Sequence, residues 1–233
     1  MAPTKTATKT APSKEATAKQ PSKKILFDSN EDRFTVANQA AEDPDVLHQL
    51  VENLSTDARR MRQFSAGALA VLADLHPDML LPYCEQLIDA LHRPEAQTRW
   101  EILEALISII PLNPDVSFKA VAGAEASLYD EDSGTARLSA VRFLATYGAI
   151  DDKHSEEVWP LLDEAIQCYH GDPEFQEMLV AIIGFASGQL SQDVRKALLE
   201  RVRFDAETGK GLLQRRTEQI VELCSASGTG KSK

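Results

Sequence analysis

The amino-acid sequence predicts an all-α fold, a right-handed α-solenoid of about five helix pairs preceded by a disordered basic tail. Three observations carry this prediction. Arg62, Arg99 and Arg137 recur at separations of 37 and 38 residues, the length of a helix-pair repeat. Each Arg is followed at three, four, six and seven residues by small and large apolar positions: Ser65, Ala66, Ala68, Leu69; Ile102, Leu103, Ala105, Leu106; Ala140, Val141, Phe143, Leu144. These make one stripe at a period near 3.6, with small residues where two helices must approach closely. Nowhere does the chain sustain the period-two alternation of a half-buried strand.

In chain order, residues 1–24 are Ala, Thr, Lys, Pro and Ser with no large apolar side chain beyond Met1. Such a composition cannot offset the entropy of ordering. The tail is taken as 1–27, with Ile25, Leu26 and Phe27 at its end able to dock on the first helices. Residues 28–42 read as a capping helix or linker, 43–224 as the repeat body, and 225–233 as a disordered C-terminal tail. Pro77 and Pro114 each stand fifteen residues after an anchoring Arg, so two pair boundaries share one phase. Pro82 precedes Arg99 by 17 residues and Pro160 precedes Glu177 by 17, which carries the register into a fourth unit with Glu in place of Arg. Both prolines are expected to bend their helices, since the ring removes a hydrogen bond and displaces a turn. Arg216 falls 39 residues after Glu177 and marks a looser fifth unit.

Residues 80–109, LLPYCEQLIDALHRPEAQTRWEILEALISI, and 128–148, LYDEDSGTARLSAVRFLATYG, resemble HEAT repeats: a proline in the first helix, an Arg opening the second. The resemblance spans about 43–224 and implies architecture, a family that serves many functions. Asp57 with Arg62 and Asp132 with Arg137 stand five apart, a spacing that suits charges tying helix ends together.

Charge divides the chain. Residues 1–24 carry six Lys (Lys5, Lys9, Lys14, Lys19, Lys23, Lys24) against Glu15; residues 28–224 carry 17 basic and 35 acidic residues, a net of −18. An acidic body repels phosphate backbones, so nucleic-acid contact is expected only through the tail lysines, weakly and in a salt-dependent way. The three cysteines, Cys84, Cys168 and Cys224, lie far apart with no CxxC pair, and the five histidines lack HxxxH spacing. Neither a disulfide framework nor a metal site is indicated. The closing Gly230-Lys231-Ser232 lacks the earlier glycine of a phosphate loop, because Ser225 stands there. No cofactor is implied.

Enzymes that resemble HEAT solenoids leave signatures to check. The His-Glu pairs of deoxyhypusine hydroxylases are missing, and a DNA glycosylase's basic, aromatic groove does not suit an acidic body with 14 aromatics, eight of them Phe. Lyases and chaperones of phycobilin attachment have no sharp motif and stay as a minor alternative. The leading expectation is a non-catalytic scaffold binding another protein, with a chromatin- or nucleic-acid-associated protein as the alternative. The absence of an apolar leader or an ~18-residue apolar run points to the cytoplasm, with nucleoid or nuclear association as the variant. Residues one, five and eight after each anchor are assigned to a partner-binding face on the inner curve: Trp100, Glu104 and Ile107; Leu138, Arg142 and Ala145; Met178, Ile182 and Phe185. Trp100 and Phe185 are its expected anchors, and a partner's amphipathic helix with basic edges its expected ligand.

Overall fold

The computed structural model describes residues 26–226, and among them there is helix and no strand. One short helix, α1 (Arg33–Glu42), precedes five pairs. The first is α2 (Pro44–Asn53) with α3 (Arg59–Leu75). The second joins a 3₁₀ segment, Pro77–Tyr83, and α4 (Cys84–Ala90) to α5 (Ala96–Ile109). The third joins α6 (Pro114–Phe118) and α7 (Val121–Leu128) to α8 (Gly134–Gly148). The fourth is α9 (Asp152–Cys168) with α10 (Phe175–Ala186), and the fifth is α11 (Gln192–Thr208) with α12 (Leu212–Ala226).

Local chemistry sets these boundaries. Asp32, Asp43, Ser133, Asp151 and Ser191 cap α1, α2, α8, α9 and α11, each side chain accepting from a free backbone N–H of the first turn. Pro44 and Pro114 open α2 and α6, where the missing N–H costs nothing. The two internal prolines differ in their surroundings. Pro82 lies in the 3₁₀ segment that delays α4 to Cys84, whereas α9 runs unbroken through Pro160.

α1 and the five second helices stack in one row, α1, α3, α5, α8, α10 and α12, each against the next. Their facing positions are small, Ala66, Ala68, Ala105, Ala140 and Ala145 all being buried, so that the backbones approach closely. Leu69, Leu72, Leu103, Leu106, Phe143 and Tyr147 are buried in the same core. At the N-terminal end, Arg33 of α1 reaches across Gly67 of α3 to Glu101 of α5, at 2.7 Å. A Cβ at position 67 would overlap that guanidinium, so glycine is what admits it.

Phe27 is not tail. It is buried, stacks on Phe64 with centroids 5.8 Å apart, and follows Leu26, whose N–H donates to Gln49 Oε1 at 2.9 Å. The folded body therefore begins by Leu26, one residue after Ile25, which with residues 1–24 and 227–233 lies outside the described residues.

Candidate partner-binding surface

The anchoring arginines form a ladder along the turns that join first to second helices. Arg62 donates to Thr56 O at 2.6 Å and to the Glu95 carboxylate, with Nε 3.2 Å from Oε2. Arg99 donates to Arg93 O at 2.8 Å, Pro94 O at 3.0 Å and the Asp130 carboxylate. Arg137 donates to Asp130 O at 2.7 Å and Asp172 Oδ2 at 2.9 Å, and lies 5.0 Å over the Tyr169 ring. Each guanidinium closes its own turn and grips the turn of the following pair. Asp57 and Asp132 are not the partners that local spacing suggests: the Asp132 N–H instead donates to Asp130 Oδ1. The long Arg side chain runs along the stack, so its acid stands one repeat on, in Glu95, Asp130 and Asp172.

Glu95 is only 7% exposed. Burial alone would raise its pKa, but the Arg62 hydrogen bond, a backbone hydrogen bond and the charges of Arg62 and Arg59 outweigh it and hold the carboxyl below the usual range. In the last pair the direction reverses, with Arg216 reaching back to Gln176 O and, at 3.3 Å, to Glu177 Oε1.

The expected partner-binding face divides. Trp100, Glu104, Ile107, Leu138 and Arg142 are half-buried, and Arg142 pairs with Glu104 at 3.2 Å, which also accepts from Ser139 Oγ at 2.7 Å. Leu138 packs against the core and Ala145 is buried. Met178, Ile182 and Phe185 are core: they are 2%, 1% and 0% exposed, and Phe185 stacks on Trp159 with centroids 6.4 Å apart. The cause is register. Matching the buried positions of α10 to those of α5 puts Phe175, not Glu177, in the place of Arg99, and a two-residue slip turns a helix by about 200°. Val180 then occupies the place of Glu104 and Arg142, and Gly184 that of Thr146. Both are exposed, Val180 by 45%. The stripe Phe175, Met178, Leu179, Ile182, Phe185, Ala186 is the sequence signal that identifies the core side of this helix.

The corrected face is a groove of about 430 Å³ across α5, α8 and α10. Ile107, Ala149, Val180, Ala181 and Gly184 make it apolar, with the buried Phe185, one of the two expected anchors, at its base; Glu104, Arg142, Thr146 and Glu177 make its rim. A Cβ on Gly184 would meet nothing within 4 Å, so the groove floor is open there.

The net negative charge is not spread evenly. The first-helix segments 44–53, 77–90, 114–128, 152–168 and 192–208 hold sixteen acidic and six basic residues, whereas the second helices α3, α5, α8, α10 and α12 hold six acidic and eight basic. The first-helix row is therefore where the acidity sits. Tyr129, whose hydroxyl donates to Glu164 at 2.6 Å, has its pKa pushed up to about 12 by that hydrogen bond, by burial, and by the charges of Glu164 and Glu125.

Buried Cys84 and Cys224 have thiol pKa values raised chiefly by burial, while Cys168 is exposed. Among the described residues no group of three or more His, Cys, Asp or Glu could hold a metal ion, and no helix is long and apolar enough to cross a membrane. The tail lysines Lys5, Lys9, Lys14, Lys19, Lys23 and Lys24 lie outside the described residues.

Stacked helix pairs joined by an arginine ladder make a HEAT/armadillo-like helical repeat fold. Solved structures place the fold in the same class. An engineered protein shares 20% identity over 83% of this chain and 90% of its own, with a TM-score of 0.65. A designed armadillo repeat protein in complex with the peptide (KR)4 gives a TM-score of 0.67 at 16% identity over 82% and 90%. A computationally designed armadillo repeat protein for modular peptide recognition gives 0.66 at 14% over 82% and 91%. No family model matches the chain, and no curated protein resembles it in sequence.

Proposed function

We propose that the protein is a non-catalytic scaffold that holds a segment of another protein in the groove across α5, α8 and α10. The observation that carries this reading is the groove itself: a continuous apolar floor rimmed by charge, on helices fixed by the ladder at their N-terminal ends. The structurally similar designed armadillo proteins, one in complex with the peptide (KR)4 and another designed for modular peptide recognition, support the same class of ligand. The floor suits the apolar side of an amphipathic helix, and basic groups on that helix would meet Glu104 and Glu177. Because the second-helix row has no acidic excess, the apolar contact supplies the affinity and the rim sets orientation. Gly184→Arg projects a side chain into the groove from a position with free space, so the fold is retained. Affinity capture with the intact chain and with Gly184→Arg, both under nuclease, tests the reading. A partner retained equally by both places binding elsewhere. A partner lost only on nuclease treatment favours the nucleic-acid reading through the tail.

A further inference from the structure

Where the described chain begins points to the occupant of a second surface. The Leu26 N–H is held by Gln49 of α2, and Phe27 lines a cavity of about 430 Å³ with Gln49, Glu52, Asn53, Ser55, Thr56 and Met61. A second cavity of about 350 Å³ shares Glu52 and Ser55 with it and continues past His48 over Tyr83, Glu85, Asp89 and Arg93, with three carboxylates against one guanidinium. The two form one path from the start of the body to the acidic first-helix row. Lys23 and Lys24 immediately precede this entry, and residues 1–24 carry a net charge of +5.

We infer that residues 1–24 of this chain bind back along its own first-helix row, with Lys23 and Lys24 entering among Glu52, Glu85 and Asp89 and the remaining lysines following toward α7 and α9. Charge selects this row, since the second helices carry more basic than acidic residues. Reach permits it: 24 residues span up to ~80 Å extended, and five helices set roughly 10 Å apart span about 40 Å. Glu85 pairs with Lys119, Asp89 with Arg93 at 3.2 Å and Glu52 with His48 at 3.9 Å, exposed pairs of the kind that exchange readily for a tethered lysine. A short tether supplies an effective concentration on the millimolar order, so modest contacts suffice. At the far end, Glu125 and Glu164 offer further carboxylates beside Tyr129. The contact covers the first-helix face and leaves the groove of α5, α8 and α10 open, so it stands independently of the scaffold reading.

The test uses the full chain throughout. Zero-length carbodiimide cross-linking followed by mass spectrometry should join tail lysines to Glu52, Glu85 and Asp89 within the monomer at low salt, and several-fold less at high salt. Trypsin should cut after Lys23 and Lys24 several-fold faster in E85Q/D89Q than in the parent chain, and no faster in the second-row control E218Q/E222Q. Both pairs of residues are exposed, so neither change disturbs the core. Equal cleavage of parent and E85Q/D89Q, cross-links confined to second-helix carboxylates, or cross-links only between molecules would each overturn the inference. Lysines that are protected only when duplex DNA is added would overturn it too, in favour of a nucleic-acid tail.

Discussion

Replacing Phe185 by alanine, with Val180→Ala as its companion, tests which side of α10 faces the core. Phe185 is fully buried and stacks on Trp159, and its ring also closes over Gly148, lying 2.7 Å from where a Cβ would be. Losing a buried Phe costs about 3–5 kcal/mol from transfer and cavity terms together. For a folded body of about two hundred residues, each kcal/mol moves Tm by about 2–4 °C, so the expected fall is roughly 6–20 °C. Val180 is 45% exposed and should change stability by no more than about 0.5 kcal/mol. Thermal and urea melts followed by circular dichroism at the helical band measure both. An unchanged Tm for Phe185→Ala, or equal losses for the two variants, would refute the assigned register and with it the groove.

The ladder makes a pH-dependent prediction. Arg62→Leu strands the buried Glu95 carboxylate and should cost about 3–5 kcal/mol near neutrality. In the parent chain the folded Glu95 pKa lies below its unfolded value of about 4.3, so its contribution is present above that value and is lost as pH falls through the folded one. Without Arg62, burial is opposed only by the backbone hydrogen bond and Arg59, the folded pKa rises, and the deficit of the variant relative to the parent should be largest near neutrality and shrink as pH falls, as urea melts at several pH values would show. Gly184→Ala should raise stability by about 0.5–1 kcal/mol, because the position is helical and open. Gly148→Ala should lower it by about 1–3 kcal/mol, because the added carbon overlaps Val158 and Phe185; paired urea titrations compare the two. Deleting residues 1–24 should leave the melt nearly unchanged, whereas Phe27→Ala should cost about 3–5 kcal/mol, since its ring belongs to the core beside Phe64.

The repeat was legible because its anchor is chemically demanding. Each turn needs a long cation that can satisfy carbonyls on one side and a carboxylate on the other, so Arg62, Arg99 and Arg137 recur at near-constant spacing. The acid each one grips was not legible from local spacing, because the partner stands 33, 31 and 35 residues away and becomes a neighbour only once the pairs stack. The same limit misplaced the fourth unit. Glu177 sits where counting from Pro160 expects a charge, but one residue cannot fix the rotation of a helix. The apolar stripe beginning at Phe175 can, because six buried positions must share one side.

Net charge needed the same second step. A total of −18 over residues 28–224 reads as one acidic surface until the helices are sorted into rows, when the acidity separates onto the first helices and leaves the second row slightly basic. The packing explains why the rows can differ. Second helices pack on both neighbours through small residues and expose a narrow side, where Glu104 is matched by Arg142 and Glu177 by Arg216. First helices expose broader surfaces that tolerate unmatched carboxylates such as Glu156 and Glu200 in water. A scaffold with two rows of different character can hold an apolar segment on one side and a basic one on the other without competition. Salt then distinguishes them: raising it should release the lysine-rich segment from the first-helix row while leaving a ligand in the apolar groove bound.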